Sequence, residues 1–345
     1  MRKIGIILLA SLFIFSCKNE ERNTDTKVIH RDHKVKSTDG VEIFVREFQN
    51  SVNDSLYPYP LLLIHGGGPG VLASFDINVP NGSFAKKLTD KGLKVYMMNI
   101  RGWESSTLPD YNESDSTLVI GNHKEAYDDI KSVVDFIKEK EKIEKISLFG
   151  WATGGHWGGY FASKNSKDLA HFISLNSLYG VNAPWELRHF FWQEEDTTRF
   201  KRGTLFRTSD KQGLVSKWMS TIPAENKNEW RDSLVMEEYR NTAISFGKDT
   251  TKMTVPGGYR EESFYMSLGK KYWTAKEIYV PSLIIRTELD FWSRPEDLKA
   301  FGEDLPSTIK RRMIQIPGTH YLFLDKMEKG KGQLINEIVE FVKSE

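Results

Sequence analysis

The chain has 345 residues, 39% of them hydrophobic and 12% aromatic, enough to bury a large core as one domain with an insertion. Its 48 basic and 47 acidic residues leave a formal net charge of +1 with no basic stripe, which argues against a nucleic-acid partner. Cys17 is the one cysteine, so a disulfide framework and a thiolate metal site are excluded.

The chain opens on Met1-Arg2-Lys3, a positive n-region, followed over 4–15 by an apolar h-region too short for a comfortable membrane span. Ser16-Cys17 then places a small residue before a cysteine. Residues 1–17 resemble a bacterial lipoprotein signal, which implies export to the cell envelope and a membrane anchor on Cys17. Several acyl chains on one cysteine anchor stably, where a single chain binds only marginally. The alternative is an ordinary signal or anchor with an incidental cysteine. Residues 18–30 are polar and largely aperiodic, as expected of a solvated tether that also takes in His30.

The first core segment is expected over 31–180. Asp39-Gly40 is a tight-turn signal, and alternation at Val41, Ile43 and Val45 predicts a β-hairpin over 35–48. Residues 61–64 form a continuous apolar run, the pattern of a strand buried on both faces. It ends in His65-Gly66-Gly67-Gly68-Pro69-Gly70, a loop able to turn backbone N–H groups into a cleft and hold a developing oxyanion. A helix over 83–92, a strand over 94–100 and an amphipathic helix over 124–142 follow.

Residues 146–149 predict a buried strand, directly followed by Gly150-Trp151-Ala152-Thr153-Gly154 and a small-residue helix start. That is the strand–turn–helix layout of the G-x-S-x-G nucleophile elbow, with alanine in the serine position. Neither nucleotide-binding glycine motif can be laid over these residues. After a strand over 171–178 the alternation stops. Residues 181–275 hold five of the nine tryptophans among charged segments and predict a mainly helical cap. The alternation resumes over 276–345 with strands at 280–287 and 312–316 and helices at 294–305 and 333–343.

The pieces together resemble the α/β-hydrolase fold, in particular the branch of prolyl aminopeptidases and related esterases. The motifs are His65-Gly66-Gly67-Gly68-Pro69-Gly70, Arg101-Gly102-Trp103-Glu104-Ser105-Ser106, the elbow, Thr287-Glu288-Leu289-Asp290 and Pro317-Gly318-Thr319-His320. Three departures stand out: an extra glycine in the first motif, Glu104 where the second usually has glycine, and Ala152. The resemblance implies a mostly parallel sheet covered by helices on both faces, a mainly helical cap insertion, and hydrolysis of a small ester or amide without a cofactor.

In this fold the order is nucleophile, acid, histidine. Of the eight histidines only His320 lies beyond Asp290, which makes these two the expected base and acid, with Glu288 the nearest rival carboxylate. The oxyanion donors would be the N–H of Thr153 and that of Gly67 or Gly68. The Thr153 hydroxyl lies one residue off the apex and is a poor substitute nucleophile. Trp151, Trp185, Phe191 and Trp192 are candidates for lining an acyl or ring pocket, and Glu194 and Glu195 for an ammonium or a solvated turn. His65 and His156 are expected to be structural. No H-E-x-x-H occurs, and no metal is expected. Two functions fit: a serine hydrolase whose nucleophile is replaced by Ala152, or a natural pseudoenzyme that binds a ligand in the same cleft.

Overall fold

The computed structural model describes residues 28–50, 56–112, 115 and 118–343. The signal at 1–17, with Cys17, and most of the tether lie outside the described residues. The strands are β1 (Val28–Lys36), β2 (Glu42–Asn50), β3 (Leu61–Ile64), β4 (Val95–Met98), β5 (Ile146–Trp151), β6 (Leu169–Leu175), β7 (Phe206–Asp210), β8 (Lys252–Pro256), β9 (Ser282–Leu289) and β10 (Arg311–Thr319). The helices are α1 (Val71–Phe75), α2 (Phe84–Asp90), α3 (His123–Glu141), α4 (Thr153–Asn165), α5 (Lys211–Thr221), α6 (Ser233–Ser245), α7 (Gly258–Ser267), α8 (Pro295–Asp304) and α9 (Lys331–Lys343).

Eight strands form one sheet in the order β1-β2-β4-β3-β5-β6-β9-β10. The β1–β2 hairpin and the β2–β4 pair are antiparallel; every other pair is parallel. Every residue of β3, β4 and β5 is buried, as continuous apolar runs require when helices cover both faces. The chain passes from β3 outward to β4 and returns to β5 on the other side of β3, so the strand order reverses there. In open parallel sheets such a reversal splays the loops at the carboxyl ends of the strands and leaves a crevice for a ligand. Ile64 stands in register with Gly150, so the glycine loop and the elbow flank that crevice.

Local signals account for most element ends. Ser83 caps α2 by accepting from the Lys86 N–H, and Gly92 (φ +93°) lets the chain leave it. Asn122 and Glu125 form a capping box at α3, and Lys142 ends that helix in the left-handed region.

One expectation is corrected and another gains detail. β1 begins at Val28, so the last residues of the expected tether are strand: His30 pairs with Phe48, whose aromatic ring it also approaches, and this cross-strand pairing overrides the polar composition. The regular structure of the insertion over 181–275 is mainly helical, as expected, in α5, α6 and α7, with one strand pair added. β7 and β8 pair antiparallel within it, and long stretches are irregular. β8 alternates, with Met253 and Val255 buried between exposed Lys252 and Thr254, but β7 has no buried residue and carries no such pattern. Among the described residues no helix is long and apolar enough to cross a membrane.

Candidate active site

The end of β5 delivers Ala152 at φ +51°, ψ −115°, a region L-residues rarely adopt. Such a conformation costs about 1–3 kcal/mol and persists only where its surroundings over-determine it. Here they do. The Ala152 N–H donates to the Leu175 carbonyl at 2.8 Å, and its carbonyl accepts from the Gly155 N–H at 3.0 Å. The glycines are needed for close approach. A Cβ on Gly154 would stand 2.5 Å from the Ile64 carbonyl oxygen, and one on Gly155 would stand 2.7 Å from Ser177 Cβ. Helix α4 thus starts hard against β3, with the Thr153 N–H at its first position and no intrahelical acceptor. The Thr153 hydroxyl is buried and has no partner among the described residues.

Asp290 and His320, 30 residues apart, are brought together by the parallel pairing of β9 with β10. His320 Nδ1 lies 2.6 Å from Asp290 Oδ1. Asp290 is held from its own loop: Oδ1 accepts from the Trp292 N–H at 2.9 Å, and Oδ2 from the Ser293 N–H at 2.9 Å and from the Ser293 hydroxyl. An acceptor-saturated carboxylate fixes the imidazole proton on Nδ1 and leaves Nε2 without a partner among the described residues. Glu288, the rival carboxylate, is exposed. His320 is also gripped through its carbonyl, which accepts from Trp151 Nε1 at 3.1 Å and from Asn176 Nδ2 at 3.3 Å. Buried Asp325 accepts from the Thr319 N–H at 2.8 Å and from Trp218 Nε1 at 2.9 Å, tying the residue before His320 to the cap.

The loop after β3 is built with equal care. His65 Nδ1 donates to the Gly66 carbonyl at 2.6 Å, while Nε2 accepts from the Ile100 N–H at 3.0 Å. Burial pushes its pKa down to about 4, so it is a neutral strut. A Cβ on Gly66 would sit 3.2 Å from the Ala152 methyl, and one on Gly67 would collide with the Tyr259 ring. The Gly68 carbonyl accepts from Trp103 Nε1 at 2.8 Å. Glu104, the departure from the family's glycine, takes φ +44° and caps α1, accepting from the Leu72 N–H at 2.9 Å and the Ala73 N–H at 3.1 Å. Burial nonetheless pushes its carboxyl up to about 7.

The aromatic candidates part company. Trp151 is 2% exposed and packs beneath His320, ring centroids 5.0 Å apart; it supports the imidazole and is not free to line a substrate pocket. Trp185 stacks on Phe191 and donates Nε1–H to the Trp292 carbonyl at 2.8 Å, so it fastens the cap to the loop that carries Asp290. Phe191 faces a cavity of about 490 Å³ shared with Tyr111, Phe206 and Arg260 at the cap's edge; Ala152, Asp290 and His320 do not line it. Trp192 bridges to Phe200 beside His189 and is not brought to the His320 pair. Glu194 and Glu195 are exposed.

Phe291, adjacent to Asp290 in sequence, was not singled out by its sequence context; its ring centroid lies 4.6 Å from that of His320. Asn176, which takes φ +53° and binds Thr287 as well as the His320 carbonyl, was likewise unmarked. A strand-end asparagine carries no local signal of a bond to residues more than a hundred positions away.

His156 belongs to a second buried cluster. Its Nδ1 accepts from Trp273 Nε1 at 3.0 Å, which leaves the proton on Nε2, directed at Glu262 Oε2 at 3.2 Å. His123 donates to the other carboxylate oxygen through its N–H at 3.0 Å and through its ring. The three ligand-type atoms lie within 4.8 Å of one another, yet His156 is turned to donate there rather than to ligate. Burial would raise the Glu262 pKa, but the hydrogen bonds from His123 and His156 pull it from 4.5 to about 2. A depressed folded-state pKa gives stability that is present above 4.5 and lost as pH falls toward 2. Glu262→Gln is therefore expected to melt earlier than the parent at pH 7 and to lose less between pH 4.5 and 2; calorimetric melting across that range checks it.

A reversing parallel sheet with a strained elbow, an Asp–His pair and a glycine loop beneath a cap defines an α/β-hydrolase. The family model for serine aminopeptidases S33 matches residues 81–327, and the chain belongs to that family. Three solved structures share the fold. The enol-lactonase from Burkholderia xenovorans LB400 is 14% identical with a TM-score of 0.60, over 90% of this chain and 100% of that one. A thermophilic esterase from Thermogutta terrifontis is 18% identical with a TM-score of 0.58, over 91% and 98%. An esterase from Exiguobacterium antarcticum is 14% identical with a TM-score of 0.55, over 91% and 100%. No curated protein matches the chain.

Proposed function

We propose that this chain holds a small ester or amide in a capped serine-hydrolase site and, lacking an oxygen at residue 152, does not turn it over through an acyl-enzyme. The observation that carries this is the backbone of Ala152. A methyl needs no strained apex, and packing alone would be served by ordinary geometry; the bend is of use to a side chain that must be presented to a cleft.

With serine at this position, the hydroxyl oxygen would attack the substrate carbonyl while His320 Nε2 accepts its proton. Asp290 would steady the resulting imidazolium, and the tetrahedral oxyanion would lie toward the N–H of Thr153 and one from Gly67 or Gly68. Collapse of that intermediate expels the alcohol or amine, which takes the proton back from His320, and leaves an acyl-serine for water to cleave. Alanine stops the sequence before its first bond forms.

A natural pseudoenzyme is the second reading: Ala152 would be its native residue, and the same capped cleft would bind a ligand without turnover. Restoring serine separates the two. Hydrolysis of short acyl esters or aminoacyl amides, with labelling by a fluorophosphonate, supports the inactivated hydrolase; failure of both tells against it. We also propose anchoring to the bacterial envelope through lipidated Cys17. Radiolabelled palmitate should enter the full chain and not its Cys17→Ala variant, and equal labelling of the two would overturn the anchor.

A further inference from the structure

The cap lowers a cation onto the glycine loop and gives it no acid to face. Arg207, the second residue of β7, places Nη1 3.0 Å from the Tyr259 hydroxyl and 3.4 Å from the Gly67 carbonyl oxygen. The same nitrogen would be 3.9 Å from a Cβ on Gly68. Among the described residues these are its hydrogen-bond partners, and the groups that act on its charge are phenols: Tyr259, Tyr321 and Tyr239. Burial raises the pKa of both Tyr239 and Tyr321, so at neutral pH they are O–H donors and not counter-anions. Tyr321 follows His320 in the chain, with the two rings 5.2 Å apart, so the guanidinium and the imidazole share a neighbour.

A second arginine strengthens the field. Arg260 lines the cavity at the cap's edge, and its hydrogen bonds go to the carbonyls of Gly257, Thr204 and Phe206. Burial pushes its pKa down; Tyr259 opposes that and the charge of Arg207 adds to it, so the two cations lie within electrostatic reach of each other. Arg101 pairs with Asp129, Arg46 with Asp32 and Asp76, and Arg294 with Asp297, whereas Arg188 and Arg286 have no acid among the described residues but fill their forks with backbone carbonyls and the Ser267 hydroxyl.

A partly desolvated guanidinium without a counter-ion is unfavourable, and its planar fork matches a carboxylate through two parallel N–H···O bonds. With Nη1 engaged by Tyr259, the rest of the fork has no acceptor among the described residues. We propose that Arg207 determines specificity: the ester or amide bound above the elbow carries a carboxylate a few bonds from its scissile carbonyl, and Arg207 receives that carboxylate with tyrosine O–H groups beside it. This rests on the hydrolase reading of the site. The carboxylate belongs either to the acyl part, as in a hemiester of a short dicarboxylic acid, or to the leaving group.

Two measurements test it together. In the Ala152→Ser chain, kcat/KM is compared for p-nitrophenyl hemisuccinate (carboxylate on the acyl part), 4-butanoyloxybenzoate (carboxylate on the leaving group) and neutral p-nitrophenyl butyrate. Adding Arg207→Gln should lower the ratio of one anionic ester to the neutral one by roughly 10- to 100-fold, and the ester affected tells which part bears the charge. Arg207→Lys, which keeps the charge and loses the fork, should fall between the two. In the chain as it stands, monomethyl succinate and 4-butanoyloxybenzoate binding is measured by calorimetry, with dimethyl succinate as the neutral control; Arg207→Gln should weaken the bound anion by a similar factor. Ratios and affinities that Arg207→Gln leaves unchanged, or an equal loss for neutral and anionic compounds, would show that the arginine only fastens the cap, and the proposal falls. Absence of turnover in the serine variant with Arg207-dependent anion binding removes the hydrolase reading and keeps the carboxylate site. Absence of both removes both.

Discussion

Ala152→Ser is expected to raise hydrolysis of an activated short-chain ester by on the order of 10⁴-fold or more over the parent chain, and to make the protein react with a fluorophosphonate. The size follows from how a triad works: removing the nucleophile from an intact set costs about 10⁶ in kcat, roughly 8 kcal/mol of barrier, because the remaining groups have nothing to deprotonate. In this chain those remaining groups are positioned already. His320 is oriented by Asp290 at 2.6 Å, its backbone is held by Trp151 and Asn176, and the elbow keeps its strained φ of +51° without a hydroxyl. His320→Ala in the serine variant should return activity nearly to the parent level, a loss of three or four orders of magnitude. Stopped-flow release of p-nitrophenolate reads both. A serine variant that folds and stays silent toward esters and probe alike would mean that the pair and the elbow do not act on one substrate atom.

The largest expected loss of stability comes from Asp129→Ala. Asp129 is fully buried on α3 and takes Arg101 in a fork: Oδ1 meets Nη2 at 2.7 Å, Nε is at 3.1 Å, and Oδ2 accepts the Arg101 backbone N–H at 3.0 Å. Removing the carboxylate leaves a buried guanidinium with Asp39 at its outer edge and the Ser37 hydroxyl, and breaking such a buried pair costs about 3–5 kcal/mol. The melting temperature should drop by roughly 10 °C. The double change Arg101→Met with Asp129→Leu should recover part of that loss, because two well-packed apolar side chains replace a pair whose desolvation was costly. In the Ala152→Ser background Asp129→Ala should also reduce activity. Arg101 opens the turn that carries Trp103 to the Gly68 carbonyl and Glu104 to the start of α1, and both brace the glycine loop. A melting temperature within a degree or two of the parent would show that Arg101 finds another partner.

Much of the frame was legible because its signals are local. Continuous apolar runs at 61–64 and 146–149 fit strands covered on both faces, and Ser83 and Gly92 mark the ends of a helix through their own hydrogen bonds and φ angle, whereas the cap at Asn122 emerged only from the structure. The glycines at 150, 154 and 155 marked the elbow, since only a missing Cβ lets α4 meet β3 and Ser177 so closely. Chain order chose Asp290 and His320. Their separation of 30 residues holds α8 and β10, which returns the chain parallel to β9, an arrangement the alternation of apolar runs already implied.

The cap was the least legible part. β7 and β8 lie more than forty residues apart and pair through backbone groups, so the short alternation at 252–255 does not tell which segment it pairs with. Aromatic residues looked alike in sequence. The tertiary structure sorted them, with Trp151 under the imidazole, Trp185 on the acid loop, Phe191 at the cap's edge and Trp192 elsewhere.

What the order of residues determined is therefore the scaffold: where strands, turns and glycine-dependent approaches fall, and which acid and base can follow a nucleophile position. What only the folded chain decided is the charge inside the cleft. Arg207 reads in sequence as one more exposed cation among many, and Tyr239, Tyr259 and Tyr321 lie 32, 52 and 114 residues beyond it. Whether a cation is neutralised depends on distances across the fold, because an ion pair needs contact within a few ångströms and sequence spacing sets no such distance between separate elements.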